Sequence, residues 1–439
     1  MISPACQRYL DEAQLFGIKL GLDNMRSILS HLGQPEKNFP SIHVAGTNGK
    51  GSVSAMLERI FQLNGFKTGL YTSPHLIDIR ERISLNGRMI PEKTFCCLLL
   101  EIKKKEKKLK KAGEMGGSLT FFEILTLCAF DYFSQEKVDL AVFEVGLGGR
   151  FDATNVITPE ISVITSISYD HQQYLGKTMS KIAGEKAGII KRGVPCISGV
   201  RNQTALNVIE KKCQEMGAPL IKVFGRGREL THHQMKDGYL FSFKTPCATY
   251  RFRPSLPGLH QGENAAIAIT AAEAMQEHGY QLQKDKVIEA LETVVWPGRL
   301  EIISRTPLII LDGGHNEDAA RAVSDYIREN IGQPVILVFA IMKDKDIEKV
   351  ASKLFPLASR IILTRPPMDR AARPRDIARR LPEFSQRFFL EEDVPSALRL
   401  ALTLSSGKVP VVVGGSLFLV GEVKKFFSEL GAGKSLAYV

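Results

Sequence analysis

A glycine-rich segment between an apolar run and a helix pattern carries the residue types that hold phosphate groups. It reads AGTNGKGS over residues 45–52, and its glycines let backbone N–H groups turn inward with positive φ. Lys50 adds a positive charge, and the helix that follows contributes the positive end of its dipole. This context predicts an ATP phosphate site. The residues predicted to form it are Thr47, Asn48, Gly49, Lys50, Gly51 and Ser52.

The spacing in this segment departs from the usual Walker pattern. Only two residues separate Gly46 from Gly49, where that pattern has four, and Gly51 stands between the lysine and Ser52. A common P-loop protein is therefore not the best match. The alternative interpretation is a plain turn that joins a strand to a helix.

Polar residues follow three apolar runs elsewhere in the chain. Glu144 ends VDLAVFE, Asp312 ends PLIILD, and Asp170-His171 follows ISVITSISY. In open α/β sheets, ligands gather beyond the carboxyl ends of the strands. A carboxylate and an imidazole at neighbouring strand ends are suited to hold Mg²⁺ beside phosphates, although Mg²⁺ prefers oxygen. Loop capping by the same residues is the alternative.

Lys186 falls within the apolar stripe of the helix pattern TMSKIAGEKAGIIK. A lysine in that position must snorkel, form a pair or be chemically altered. A desolvated amine with a lowered pKa can take up carbon dioxide and become an anion that joins a metal shell. From the residues alone, snorkelling and this modification both stay open.

Two further segments combine polar residues with the ends of predicted elements. Glu123 lies three residues after Thr120, as a capping box requires, and it also falls on an apolar stripe. Capping is the favoured interpretation. Ser73 and His75, in SPHL, follow another apolar run and are able to reach a ligand or to close a turn.

Composition narrows the class of protein. With 439 residues and 44% hydrophobic content, the chain is expected to form two domains with ample cores. It has no secretory signal pattern and no apolar run of about 18 residues, so we expect a cytoplasmic protein without a membrane partner. Its seven cysteines lack a CxxC pair and are expected to stay reduced. Much of the net charge of +11 comes from KKKEKKLKK at 103–111, which favours a solvated helix face over a nucleic-acid site.

Apolar runs alternate with helix patterns, which predicts an α/β fold with parallel sheets. A less regular stretch near 220–253 predicts an antiparallel addition. The alternation restarts after Trp296, so we expect domains at 1–296 and 297–439. The predicted strands are 42–45, 67–72, 138–145, 161–166, 194–198, 308–312, 335–340, 360–364 and 409–413. The predicted helices outside the basic segment are 52–64, 121–134, 178–191, 205–216 and 262–278.

The motifs of the chain, taken together, resemble those of one enzyme family. In order along nearly the whole chain stand GTNGKGS, SPHL, EVGLGGRFDATN, DHQQYLG, IAGEKAG, PGR and DGGHN. They closely resemble the folylpolyglutamate synthase and dihydrofolate synthase family of the muramyl ligase superfamily. The resemblance implies a P-loop-type amino-terminal ATP-binding domain with a parallel sheet and a smaller Rossmann-like carboxy-terminal domain, which close on ATP, a folate-type substrate and L-glutamate.

The resemblance also implies an ATP-dependent amide ligation. The substrate carboxylate attacks the γ-phosphate of ATP, and the amine of glutamate then displaces phosphate from the acyl phosphate. Mg²⁺ is required because one anion must attack another. The Asp152-Ala153 pair resembles bifunctional bacterial members, which add glutamate to dihydropteroate and then to reduced folates. The alternatives are a ligase that only polyglutamylates, a muramyl-peptide ligase and a non-catalytic nucleotide-binding protein.

Each matched motif implies roles for particular residues, and a monomer is expected because similar enzymes are usually monomers. The implied catalytic residues are Lys50, His315 and Lys186, the last carbamylated. The implied magnesium ligands are Ser73, Glu144 and His171. Asn264 is expected to face adenine, Arg299 to contact phosphate and Asp312 to contact the nucleotide. Ser416 lies with His315 on the glutamate side, and the implied pterin-binding residues are Gly21, Leu22, Thr120, Phe121, Phe122, Glu123, Phe151, Asp152 and Ala153.

Overall fold

A computed structural model describes residues 3–14, 17, 21–236 and 238–431 of the chain. The strands of its first sheet are β1 (Ser41–Ala45), β2 (Thr68–Tyr71), β3 (Ile83–Leu85), β4 (Arg88–Met89), β5 (Leu140–Glu144), β6 (Ile161–Ile164), β7 (Cys196–Ser198) and β8 (Leu220–Lys222). Their spatial order is β4-β3-β2-β5-β1-β6-β7-β8. In this spatial order, the six strands β2, β5, β1, β6, β7 and β8 pair in parallel. The strands β3 and β4 add an antiparallel edge next to β2.

Two smaller sheets follow along the chain. The second sheet is antiparallel, in the order β11-β10-β9, with β9 (Glu229–Met235), β10 (Gly238–Lys244) and β11 (Thr249–Phe252). The strands of the third sheet are β12 (Glu301–Arg305), β13 (Leu308–Leu311), β14 (Val335–Phe339), β15 (Ala358–Leu363), β16 (Phe388–Leu390) and β17 (Val411–Gly414). Their order is β12-β13-β17-β14-β15-β16, parallel except for the β12–β13 pair.

Helices cover the faces of the sheets. Before the third sheet they are α1 (Pro4–Gln14), α2 (Asp23–His31), α3 (Lys50–Leu63), α4 (Glu92–Ala112), α5 (Phe121–Gln135), α6 (Gln172–Leu175), α7 (Met179–Lys186), α8 (Gln203–Met216), α9 (Leu259–Gln276) and α10 (Lys284–Thr293). Around the third sheet they are α11 (Glu317–Tyr326), α12 (Ile347–Leu354), α13 (Pro374–Arg380), α14 (Val394–Ser405) and α15 (Leu417–Gly431). One face of the first sheet packs on α3, α9 and α10, and the other packs on α1, α2, α4 and α5. In the described part of the chain, no helix has the length and apolar character needed to cross a membrane.

The central strand β1 is buried along its whole length, and its side chains alternate between the two faces of the sheet. Ile42 and Val44 join the core under α3 and α9, whereas His43 points the other way and meets Thr154. The register pairs Val44 of β1 with Glu144 of β5. Because parallel strands end at the same edge, the glycine-rich segment after β1 lies beside the carboxylate that ends β5.

The α/β class, the main strands and the antiparallel addition are confirmed, the last over β9 to β11 only. The start of the stretch predicted as antiparallel, β8, instead pairs in parallel with β7 in the first sheet, and the edge strands β12 and β16 of the third sheet were not predicted. The antiparallel edge formed by β3 and β4 was not predicted. The helix predicted over 178–191 ends at Lys186, and Ala187–Ile189 form a 3-10 turn. The reason is that the Glu185 carbonyl accepts a hydrogen bond from the Arg150 N–H at 2.8 Å, which takes it out of the helix ladder.

Candidate active site

The glycine-rich segment forms a tight loop at the amino terminus of α3. Gly49 caps the helix with a φ of +84°, and a Cβ atom there would lie 2.4 Å from the Asn264 Oδ1. Two residues that directly follow β6 hold this loop by hydrogen bonds. The Thr47 N–H donates to the Ser166 carbonyl at 2.8 Å, and the Thr165 hydroxyl donates to the Asn48 carbonyl at 2.7 Å. The free N–H groups of the first helical turn therefore face an open space, as anion binding requires.

That space is a cavity of about 330 Å³, called the first cavity. Its walls bring together every residue predicted to bind ATP or metal, from distant parts of the chain. They include Thr47, Asn48, Gly49, Lys50, Gly51, Ser52, Ser73, Glu144, His171, Lys186, Asn264, Arg299, Asp312 and His315. The plain-turn interpretation of the loop does not account for this convergence.

The predicted magnesium ligands lie together in the first cavity. The Ser73 N–H donates to Glu144 Oε2 at 3.1 Å, and Glu144 is buried at the end of β5. Burial raises the pKa of the Glu144 carboxyl, while Lys50 and the Ser73 N–H counteract that effect. Burial lowers the pKa of His171 to about 4, so its imidazole is neutral at neutral pH, and its Nε2 lies 3.2 Å from the Lys345 amine. The Glu144 carboxylate and the Ser73 hydroxyl are oxygen groups of the kind that Mg²⁺ prefers, whereas the imidazole is a ligand that only the family resemblance implies.

His171 also belongs to a cluster that joins the two parts of the chain. Asp170, His171 and His315 each place one possible ligand atom within 4.8 Å of the others. Lys345 donates to Asp170 Oδ1 at 2.7 Å, and its Nζ lies 3.2 Å from His171 Nε2. Burial raises the pKa of Asp170, but the hydrogen bond to His315 and the nearby positive charges outweigh it and hold that pKa well below its usual range. Asp170 is therefore an anion that orients cationic and imidazole groups.

The Lys186 amine does not snorkel to the surface. Its Nζ donates to the Gly46 carbonyl at 2.9 Å, inside the first cavity, and the side chain is buried. Burial lowers the pKa of Lys186 to about 7, and the positive charge of Lys50 contributes in the same direction. Much of the amine is therefore neutral at physiological pH and is chemically able to react with carbon dioxide.

A second cavity of about 340 Å³ lies beside the first. Eight of the ten residues predicted to bind substrate line it: Gly21, Thr120, Phe122, Glu123, Phe151, Asp152, Ala153 and Ser416. Leu22 and Phe121 do not. Leu22 is buried next to α2, and Phe121 packs under the Arg82 guanidinium at 5.3 Å from its ring centre. The aromatic walls and the buried Asp152 carboxylate suit a flat heterocycle that carries N–H groups.

Thr120 and Glu123 form the predicted capping box at the start of α5. The Glu123 N–H donates to Thr120 Oγ1 at 3.2 Å, and the Thr120 N–H donates to Glu123 Oε2 at 2.7 Å. Both residues also line the second cavity. The two interpretations of Glu123 are therefore compatible, because the cap itself holds the carboxylate at the wall.

The Thr120→Ala variant is expected to be less stable by about 1 kcal/mol, because the N-cap acceptor of α5 is lost. The Thr120→Ser variant keeps that acceptor and is expected to unfold like the wild type. Thermal unfolding of the three proteins at one pH checks this. An unchanged midpoint for the alanine variant would show that the capping hydrogen bond contributes nothing to stability.

The two cavities share one wall, which belongs to no single element. The residues that line both are Ser73, Pro74, Gly146, Leu147, His171, His315 and Leu417. A carboxylate at the inner end of the second cavity would therefore meet a terminal phosphate in the first. The arrangement suits transfer of a phosphoryl group from a nucleotide to a carboxylate.

Asp312 has a structural task in addition to its place in the first cavity. Its Oδ2 accepts from the Leu300 N–H at 3.0 Å, and its Oδ1 accepts from the Gly314 N–H at 2.7 Å. These two bonds fix the turn that carries Arg299 and the loop that carries His315. The nucleotide contact of Asp312 stays a prediction, since each of its oxygens can accept one further hydrogen bond.

The sequence analysis missed several charged residues of the second cavity. Arg82, Lys345 and Arg370 line it, and the side chain of Lys345 is buried. They lie on loops or short turns, where no apolar periodicity marks them. The position of Lys345 shortly after β14 was the available signal, because residues beyond strand ends gather at sites. The reciprocal amide contact between Asn48 and Asn316, at 2.9 and 3.2 Å, was also missed.

Comparison with known proteins gives the family. The Mur ligase middle domain matches residues 44–272, and the Mur ligase glutamate ligase domain matches residues 298–417. The dihydrofolate synthase/folylpolyglutamate synthase of Bacillus subtilis is 36% identical over 93% of this chain and 95% of its own length.

Two solved structures share the whole fold. Mycobacterium tuberculosis folylpolyglutamate synthase, complexed with ADP and AMPPCP, has a TM-score of 0.89 at 29% identity and covers 98% of this chain and 99% of that one. E. coli FolC in complex with DHPP and ADP has a TM-score of 0.85 at 29% identity and covers 97% of each chain. The chain therefore belongs to the Mur ligases, in the family of dihydrofolate synthases and folylpolyglutamate synthases.

Proposed function

We propose that this protein is a bifunctional ATP-dependent ligase that joins L-glutamate to dihydropteroate, forming dihydrofolate, and then to reduced folates. The observation that carries the proposal is the wall shared by the two cavities. It supports a pterin substrate in the second cavity whose carboxylate meets the γ-phosphate of ATP in the first. The names of the relatives and the ADP in the solved structures of the family support the same assignment.

The proposed reaction has two steps. In the first, a carboxylate oxygen of the substrate attacks the γ-phosphorus of ATP, an acyl phosphate forms and ADP leaves. Lys50 and the N–H groups of the loop hold the phosphates, and Arg299 adds a positive charge at the same cavity. Ser73, Glu144 and His171 would hold Mg²⁺, which would supply the positive charge that offsets repulsion between the two anions.

In the second step, the amine of glutamate attacks the acyl carbon, and phosphate leaves from the tetrahedral intermediate. The amine must lose a proton during this step. We assign His315 to this step because it lines both cavities, where its Nε2 lies 3.5 Å from Asp170 Oδ2 and its Nδ1 lies 3.3 Å from the Gly313 carbonyl, so the ring is held at their shared wall. Ser416 and Lys345, in the wall of the second cavity, support a glutamate site on that side.

We also propose the boundary between the two domains at residues 296 and 297. The first and second sheets lie before it and the third sheet lies after it, which supports this division. Dihydropteroate, reduced folates and L-glutamate are the proposed substrates. The monomeric state, the cytoplasmic location and the absence of a nucleic-acid partner stay predictions.

Phosphate release from ATP and Mg²⁺ with L-glutamate tests the proposed function. Three reactions are compared: with dihydropteroate, with a reduced folate monoglutamate, and without a pterin. Turnover with both pterins is the expected result. Turnover with the monoglutamate alone would leave a polyglutamylating ligase, and no pterin-dependent turnover would overturn the assignment.

A further inference from the structure

A buried chain of hydrogen bonds lies behind the second cavity. His43 Nε2 lies 2.8 Å from Thr154 Oγ1, and Thr154 Oγ1 lies 2.5 Å from Asp152 Oδ1. His43 and Thr154 are fully buried, and Asp152 is 6% exposed where it lines the cavity. This series of hydrogen bonds therefore links the wall of the second cavity to the interior of the first sheet.

The direction of each hydrogen bond follows from the donors that surround Asp152. Backbone N–H groups of Thr154 and Leu147 donate to its two oxygens at 3.0 and 2.9 Å, so the carboxylate acts as acceptor at both. The Thr154 hydroxyl then donates to Oδ1 and must accept from His43 Nε2–H. His43 Nδ1 carries the remaining lone pair and has no partner among the described residues. The network thus selects one histidine tautomer.

This arrangement restrains the carboxylate more than a simple loop cap does. Thr154 donates to Oδ1 through both its N–H and its hydroxyl, and the Leu147 N–H donates to Oδ2, while His43 on β1 contacts the hydroxyl from behind. The hydroxyl itself is unable to rotate away, because His43 occupies its acceptor side. Thr154 uses both acceptor sites of Oδ1, so the acceptor capacity open to a molecule in the second cavity is on Oδ2, beside the Leu147 and Gly146 N–H groups.

We propose that Thr154 and His43 are positioning residues, which hold the Asp152 carboxylate in the orientation in which Oδ2 accepts an N–H group of the pterin. This inference rests on the proposed function and names residues that act behind its substrate site. Thr154 acts directly on the carboxylate, and His43 acts through Thr154. His43 also lies three residues before Gly46, so the strand that leads into the phosphate loop carries the far end of the same network.

The Thr154→Val variant removes the hydroxyl and keeps the shape of the side chain. We expect its KM and Kd for dihydropteroate to rise about tenfold or more, because a hydrogen bond to a charged group is lost. Its kcat and its KM for ATP are expected to stay within about twofold of the wild type. The Thr154→Ser variant restores the hydroxyl and is expected to bind like the wild type. The His43→Phe variant is expected to weaken binding less than Thr154→Val, since the hydroxyl still donates.

A matched control is Thr270→Val in α9, where the buried hydroxyl donates only to the Ala266 carbonyl at 2.8 Å. It removes one buried hydroxyl outside both cavities and is expected to leave pterin binding unchanged. A second comparison uses the Asp152→Ala variant as the starting protein. Adding Thr154→Val to it is expected to raise the Kd for dihydropteroate by less than about twofold, because the two residues act as one unit.

Direct binding of dihydropteroate, measured by fluorescence titration, separates the possible outcomes. A wild type that binds and a Thr154→Val variant that binds equally well would overturn this inference alone. A Thr154→Val variant whose kcat falls while its KM and Kd stay unchanged would also overturn it. So would a rise in Kd that is as large when Thr154→Val is added to Asp152→Ala as when it is added to the wild type. A wild type that binds no pterin would overturn the proposed function and this inference with it.

Discussion

Replacing Lys186 by alanine is expected to lower turnover by on the order of 10²–10³-fold while the fold stays intact. The Lys186 amine is buried in the first cavity, 2.9 Å from the Gly46 carbonyl, and its pKa is lowered to about 7. If it carries a carbamate, the variant lacks an anion beside the metal. Short carboxylates such as acetate are then expected to restore part of the activity, because they supply the missing charge. Phosphate release with and without acetate measures both effects.

Lys191→Ala is the matched control. Lys191 is also a lysine whose amine donates to a backbone carbonyl, that of Asn155 at 2.8 Å, and burial lowers the pKa of Lys191 to about 8. It lines neither the first nor the second cavity. Its replacement is expected to leave turnover near the wild-type value and without response to acetate. Wild-type activity in Lys186→Ala would reject the carbamate.

The pH dependence of wild-type activity follows from the same amine. Carbon dioxide reacts with the neutral form, and with a pKa of about 7 for Lys186 the neutral fraction rises from about one tenth at pH 6 to about nine tenths at pH 8. Activity in buffer depleted of carbon dioxide is expected to fall, and added bicarbonate is expected to restore it. The Lys186→Ala variant has no such amine, so bicarbonate is expected to have no effect on it.

The Glu144→Gln variant is expected to lose activity by on the order of 10²-fold or more and to keep its stability. The variant keeps the shape of the side chain and the hydrogen bond from the Ser73 N–H but removes the negative charge that a cation requires. Burial raises the pKa of Glu144, which means that the folded protein disfavours this charge, so its removal is not expected to lower the unfolding midpoint. Turnover at several Mg²⁺ concentrations and thermal unfolding check the two parts.

A control for Glu144 comes from a buried carboxyl outside both cavities. Glu273 accepts from the hydroxyls of Thr245 and Tyr250 at 2.6 and 3.1 Å, and burial raises its pKa too. Glu273→Gln is expected to leave turnover unchanged. If Glu144→Gln lost folded protein to the same degree as activity, a structural role for Glu144 would be favoured over metal binding.

The parts of the molecule that the sequence predicted well are those with strong local patterns. Continuous apolar runs such as 138–145 identify strands buried on both faces, and the glycine spacing of residues 46–51 identifies the tight loop that joins β1 to α3. The end of α7 at Lys186 was not predictable, because it depends on a hydrogen bond from Arg150, which is far away in the chain. Tertiary contacts of this kind have no local signal.

In the candidate site, too, residues that stand in a strong local pattern were predictable, and residues that only tertiary contacts bring to the site were not. Glu144 was predictable because it ends an apolar run, and Lys186 because it interrupts an apolar stripe. Lys345 was missed, since only the fold brings it to Asp170 from another sheet. His43 was missed because a histidine within an apolar strand shows no partner until Thr154 is folded against it.

The amide pair between Asn48 and Asn316 has a consequence for how solution conditions act on the enzyme. Asn48 belongs to the phosphate loop and Asn316 caps α11, so this uncharged contact joins the loop to the carboxy-terminal part. The nearby pair of Asp170 and Lys345 joins the same two parts through opposite charges. Both side chains of the charged pair are buried, with 7% and 9% exposed, so salt screens their attraction far less than that of a surface pair, and it leaves the amides unaffected. The association and the alignment of the two parts are therefore expected to change little with ionic strength.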